Sequence, residues 1–123
     1  MERATGMRDF LPQDMAKFRH LEEVFRKCCL DFGYEEIRTP TIEPLHLFTM
    51  AGVLTPKMLN KVYSFLDWDG WSGERVVLRP EGTIPVSRVY INDLDLMGIR
   101  LAKYFYVENM FRYADDEDKA REF

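Results

Sequence analysis

Lys103-Tyr104-Phe105-Tyr106-Val107-Glu108-Asn109-Met110-Phe111-Arg112-Tyr113 is the strongest strand signal in this 123-residue chain, and the architecture is read outward from it. Successive side chains of a strand point to opposite faces. Phe105, Val107, Asn109 and Phe111 therefore share one face, which reads as core. Tyr106, Glu108, Met110 and Arg112 share the other. A carboxylate and a guanidinium on that second face suit the wall of a polar cleft.

Upstream, Phe18, Leu21, Phe25, Cys28 and Phe32 recur every three or four residues, and charged residues fill the positions between. That period predicts an amphipathic helix over residues 13–32. Pro12 and Asp14 suit its start and Gly33 its C-terminal cap. Residues 34–39 read as a strand closed by Pro40, which fixes φ and lacks a ladder donor. Residues 44–60 read as one or two short helical pieces interrupted at Gly52 and Pro56. Two strands are expected over residues 61–66 and 74–79, with Asp69-Gly70 supplying a turn. Thr83 is placed as the cap of a helix over residues 84–94, with Pro85 in its harmless first turn. Val86, Tyr90 and Leu94 would give that helix an apolar edge, and Gly98 would end the region. The sum is an α+β layer with a mainly antiparallel sheet flanked by helices. Such a sheet is expected to need more strands after Phe123.

Composition narrows the partners. There are 17 Lys+Arg and 21 Asp+Glu, a net charge of −4, so the overall field does not steer the chain to nucleic acid. Asp115-Asp116-Glu117-Asp118 alone carries four negative charges and reads as a solvated loop that repels a phosphate backbone. No apolar run approaches a membrane span, and the N-terminal residues have no signal-peptide core. The two cysteines, Cys28 and Cys29, are neighbours without metal-ligand spacing and read as inert helical thiols of a reducing cytoplasm. His20 and His46 have no metal-binding partner in the sequence, and the methionines read as core filler.

Two places could carry chemistry. In Leu78-Arg79-Pro80-Glu81-Gly82-Thr83, Glu81 could accept from an ammonium or imidazole N–H, and Thr83 offers a hydroxyl beside a helix start. An ordinary cap with a surface ion pair fits that segment as well. Arg112 is pre-organised on a strand for bidentate contact with a phosphate or carboxylate, or else for a pair with Glu108.

In order along the chain, these pieces resemble the start of a class II aminoacyl-tRNA synthetase catalytic core of the histidyl type. The residues that carry the likeness are Gly6-Met7-Arg8-Asp9-Phe10-Leu11-Pro12, the helix with Gly33-Tyr34-Glu35-Glu36-Ile37-Arg38-Thr39-Pro40 as motif 1, Leu78 through Thr83, and Tyr106 to Tyr113 with Arg121-Glu122-Phe123 as motif 2. The resemblance covers residues 1–123 as the N-terminal part of one catalytic domain, ending before motif 3. It implies that Glu81 and Thr83 hold the amino group of histidine, and that Arg112 clamps the substrate carboxylate and the ATP α-phosphate as the catalytic residue. Arg121 would be a second ATP contact. Tyr34, Arg38 and Pro40 would belong to a homodimer interface. ATP would be a substrate, accompanied by magnesium, and no metal ligand is assigned. Adenylate formation for tRNA charging is the activity implied, a ligase reaction in the cytoplasm. The related regulatory subunit of ATP phosphoribosyltransferase, which senses histidine without charging tRNA, is the alternative. Two departures bear on the choice. Ala114 stands where the ligases usually have an acid that reads adenine, and the motif 2 loop is acidic where the ligases have a basic one meeting tRNA.

Overall fold

The computed structural model describes residues 2–52, 54–68, 73–115 and 119–123. The long helix α1 runs Pro12–Asp31. Pro12 sits in its first turn, and the Asp14 carboxylate accepts the Leu11 N–H at 3.2 Å, tying off the N-terminus. At the other end Gly33 takes φ +80°, a left-handed conformation that suits glycine, and turns the chain into the first strand.

Strand β1 is only Glu35–Glu36 and pairs in parallel with β5, Tyr104–Phe105. A three-stranded antiparallel sheet has the order β2-β4-β3, with β2 Ile42–Pro44, β3 Ser64–Trp68 and β4 Gly73–Leu78. Ile42 faces Leu78 and Phe65 faces Val76. The expected strands 61–66 and 74–79 thus exist, shifted by a few residues, in a mainly antiparallel arrangement. The parallel β1–β5 pair and the strand at β2 are additions to the expected layout. The Asp69-Gly70 turn lies outside the described residues. Two short helices, α2 Leu45–Met50 and α3 Pro56–Leu59, occupy the stretch expected to hold helical pieces.

Helix α4, Thr83–Val89, passes into a wider π turn over Tyr90–Leu94, so the helix expected to 94 is regular only to Val89. Its N-cap is Gly82, not Thr83. The small core of Phe48, Leu54 and Val77, with Leu45, Leu47, Val62 and Ile84 against it, joins α2, β4 and α4. It anchors the end of β4 from which residues 79–83 depart. Met50, Met58 and Met97 are exposed, which corrects their assignment as core filler.

Residues 103–113 form one extended segment, but regular pairing stops at Phe105 because the neighbours change along it. The Phe111 and Tyr113 N–H groups donate to Arg79 O (3.0 Å) and Lys61 O (2.7 Å) on one side. Met110 and Arg112 donate to Phe123 O (2.7 Å) and Arg121 O (2.9 Å) on the other. The backbone of residues 110–113 is thereby fixed between two flanks, which orients the side chains it carries. The face expected to be core is so only at Phe105. Asn109 is exposed and donates to Glu122 at 2.6 Å.

Candidate amino-acid-binding site

A cavity of about 610 Å³ lies between α1, the start of α4 and the extended segment. Phe18, Leu21, Glu22 and Phe25 face it from α1, Glu81, Gly82 and Thr83 from the β4–α4 turn, and Tyr106, Glu108, Met110 and Arg112 from the extended segment, with Phe123 beside them. The four residues of the second face line one cavity, though Val107 of the first face borders it too, so the alternation read from the sequence is kept only in part. Glu81, Thr83 and Arg112 share the cavity.

Arg112 is held by its Nε–H, which donates to Pro80 O at 2.8 Å, and its guanidinium lies 5.4 Å from the Phe123 ring centroid. Among the described residues it makes no ion pair. The pairing with Glu108 weighed from the sequence does not form, because Glu108 is taken by Arg79 at 3.3 Å and by the Thr39 N–H at 2.6 Å. With Nε anchored, the remaining guanidinium N–H groups are available to an anionic ligand group.

Glu81 caps α4. Its Oε2 accepts the Thr83 N–H at 2.8 Å and a close hydrogen bond from the Thr83 hydroxyl, and its Oε1 accepts the Ile84 N–H at 2.8 Å. Capping therefore comes from two residues before the helix, which corrects the placement of Thr83 as cap. A carboxylate offers about four acceptor positions. Three are used, and the one left on Oε1 has room for a single further donor.

Tyr106 packs against Gly82 so closely that a Cβ there would lie 2.6 Å from a Tyr106 ring carbon and 2.8 Å from Met110 Cε. Burial, and then the charges of Glu81 and Glu108, push the Tyr106 phenol above its ordinary pKa. Alternation alone had placed Tyr106 on the cleft without giving it a part.

Arg121 lies away from this cavity. Its guanidinium stacks 4.4 Å from the Tyr113 ring centroid, and its backbone N–H donates to Gly6 O at 2.9 Å. Arg38 lines a smaller hollow of about 260 Å³ with Thr39, Arg79 and Phe111, while Tyr34 and Pro40 are exposed. Ala114 brings no polar side chain, and Asp115 is exposed. The rest of the acidic run, 116–118, lies outside the described residues. Among the described residues no group of three or more His, Cys, Asp or Glu could hold a metal ion. The Glu81 and Glu108 carboxylates are engaged by protein donors. No described helix is long and apolar enough to cross a membrane.

The fold is that of a class II synthetase-like core. A family model described as histidyl-tRNA synthetase matches residues 6–123, and the chain belongs to that family. It is 55% identical over 120 residues to an ATP phosphoribosyltransferase regulatory subunit of Dehalococcoides mccartyi, covering 98% of this chain and 29% of that protein. To a histidine–tRNA ligase of Methanosarcina acetivorans it is 43% identical over 113 residues, covering 92% of this chain and 26% of the ligase. Among solved structures, an ATP phosphoribosyltransferase regulatory subunit/histidyl-tRNA synthetase from Bacillus halodurans superposes with a TM-score of 0.80 at 27% identity, covering 99% of this chain and 30% of that one. The apo histidyl-tRNA synthetase of S. aureus superposes at 0.75 with 30% identity, over 100% of this chain and 27% of that one. The chain thus spans under a third of the length of these relatives.

Proposed function

We propose that this chain is the N-terminal part of a histidine-binding regulatory subunit of ATP phosphoribosyltransferase, acting in histidine biosynthesis in the cytoplasm without charging tRNA. The observation that carries the amino-acid part is the charge pattern of the cavity. Glu22 is paired with Arg19 at 2.7 Å and Glu108 with Arg79, which leaves Glu81 and Arg112 as one negative and one positive end. Those ends complement the ammonium and carboxylate of a zwitterionic amino acid: Glu81 Oε1 accepts from the ammonium and Arg112 donates to the carboxylate. The choice of regulatory subunit over ligase is supported by the higher identity to such subunits, 55% against 43%. It is supported also by Ala114 in place of an adenine-reading acid, and by an acidic 115–118 run.

In this reading the protein pairs with a second copy through Tyr34, Arg38 and Pro40 and with the catalytic subunit of ATP phosphoribosyltransferase. ATP, with magnesium, and tRNA belong to the ligase reading, in which Arg112 and Arg121 would contact the nucleotide. Calorimetric titration of the protein, as its gene encodes it, with histidine should show saturable binding, and a short-form ATP phosphoribosyltransferase should co-purify with it. Histidine-dependent exchange of pyrophosphate into ATP should be absent. Exchange would establish the ligase reading instead. No response to histidine would remove both.

A further inference from the structure

Thr39, Arg79 and Glu108 form one buried polar knot. Arg79 is 5% exposed, and the Glu108 side chain 2%. The Arg79 guanidinium donates from Nε to Asn109 O at 2.7 Å and from Nη1 to Thr39 O at 2.9 Å, and it lies 3.3 Å from the Glu108 carboxylate. Glu108 in turn accepts the Thr39 N–H at 2.6 Å and the Thr39 hydroxyl at 3.2 Å. Buried charges are costly unless paired and fully hydrogen-bonded, and here both partners are satisfied three ways. The knot ties together the residue before Pro80-Glu81 and the middle of the segment that carries Arg112.

Its position has a geometric consequence. Arg79 O accepts the Phe111 N–H at 3.0 Å, and Pro80 O accepts the Arg112 Nε–H at 2.8 Å. The main chain that presents Glu81 and the side chain of Arg112 are thus registered to one another one residue beyond the buried pair. We propose that Arg79 and Glu108, anchored on Thr39, are positioning residues that set the spacing between the Glu81 and Arg112 ends of the amino-acid clamp. The inference rests on the amino-acid-binding reading above for its ligand, though not for its geometry. Spacing matters to a ligand that engages both ends at once and much less to one that engages either alone.

The test uses the protein as its gene encodes it, titrated with histidine, with histamine, which lacks the carboxylate, and with imidazolepropionate, which lacks the ammonium. Glu108→Gln keeps the shape and removes the charge, and should weaken histidine by about tenfold or more while changing each half-ligand by less than about threefold. Thr39→Val, a milder change, should act in the same direction, and Thr39→Ser should restore binding. Equal losses for all three ligands, or none, would overturn the inference, since a general loosening of the fold has no reason to single out the two-ended ligand. Should Glu108→Gln fail to fold, Thr39→Val carries the test. A ligand-free readout separates this inference from the functional reading: the NMR signal of the Arg112 Nε–H, assigned with Arg112→Lys. That proton should be slow to exchange with water in the wild type and about tenfold faster in Thr39→Val. Unchanged exchange would refute the positioning role even if histidine binds. Faster exchange in a protein that ignores histidine would leave the positioning role standing and remove the ligand assignment.

Discussion

Replacing Glu81 by alanine should damage helix α4 and ligand binding together, because one carboxylate serves both. In the ligand-free protein it accepts two backbone N–H groups at 2.8 Å and the Thr83 hydroxyl. Those two amides belong to the first turn of α4, where no intrahelical partner exists. Gly82, the N-cap, has no side chain to serve them. Losing a capping side chain costs about 1 kcal/mol, and losing a negative charge beside a helix N-terminus about 0.3–1 kcal/mol more. The sum is about 1–2 kcal/mol, taken at the low end because the carboxylate is part-exposed. Near 1.4 kcal/mol the opening equilibrium shifts about tenfold. Hydrogen exchange followed residue by residue should therefore show the Thr83 and Ile84 amides exchanging about tenfold faster in Glu81→Ala. In Glu81→Gln the loss should be smaller, since an amide oxygen still accepts one N–H. Both variants should lose histidine affinity, as neither offers a charged partner to the ammonium. Amide exchange at 83 and 84 that is indifferent to Glu81→Ala would show that the carboxylate does not cap the helix, and the count of one vacant acceptor position would fall with it.

Gly82→Ala should lower stability by about 1–3 kcal/mol, the range for overpacking, because the new methyl would meet Tyr106 and Met110; thermal melting checks it, and an unchanged melt would mean that Tyr106 moves aside freely. Arg112→Lys should fail to rescue the loss of histidine affinity in Arg112→Ala, since an ammonium cannot both hold Pro80 O and grip a carboxylate with a planar fork; equal affinity of wild type and Lys variant in calorimetry would refute the clamp. The Arg26–Glu36 pair, bidentate at 2.8 and 2.9 Å, ties α1 to β1 and holds the Glu36 carboxyl below its ordinary pKa. A depressed folded-state pKa means that the unfolded chain binds more protons in that window, so this contribution is present above the ordinary carboxylate range and is lost as pH falls through the lowered value. Glu36→Gln should accordingly flatten part of the acid limb of the stability profile, and superimposable limbs in acid titration would count against it.

What the sequence made legible followed from local rules. Period-two alternation put Tyr106, Glu108, Met110 and Arg112 on one face, and all four line one cavity although regular pairing ends at Phe105 and Val107 of the other face borders it too. The helix start at Pro12 and its exit at Gly33 are equally local. The rest depended on contacts that no local pattern encodes. Arg79 read as half of a possible surface ion pair and Glu108 as part of a cleft wall or a partner of Arg112; their pairing with each other and their burial are decided by two segments far apart in the chain. The β2 strand, Ile42–Pro44, is a strand only because β4 pairs with it, and its proline argues against one when read alone. Parallel pairing of β1 with β5 is a choice of neighbour that two acidic residues do not announce. Thr83 was assigned by residue type to a cap that Glu81, from outside the helix, fulfils.

The shape of the cavity adds a constraint that the charged clamp does not. In the proposed reading its two polar ends recognise the part common to every amino acid, so they cannot by themselves select a side chain. Selection must come from the wall, which is built by Phe18, Leu21 and Phe25 of α1 with Met110 and Phe123. An apolar wall rewards a flat side chain by area and discriminates weakly, by about 1–3 kcal/mol per methylene, whereas a site that hydrogen-bonds a polar atom rejects analogues lacking it far more strongly. Among the groups facing the cavity, Glu108 is consumed by Arg79 and Thr39, and Glu22 is paired with Arg19. In the proposed reading the Tyr106 phenol remains to serve the side chain of a bound amino acid. In the proposed reading, recognition of the amino acid as a class is therefore a property of the β4–α4 turn and Arg112, and recognition of its side chain is a property of how α1 lies against the extended segment, where Phe25 meets Phe105 edge-on at 5.9 Å.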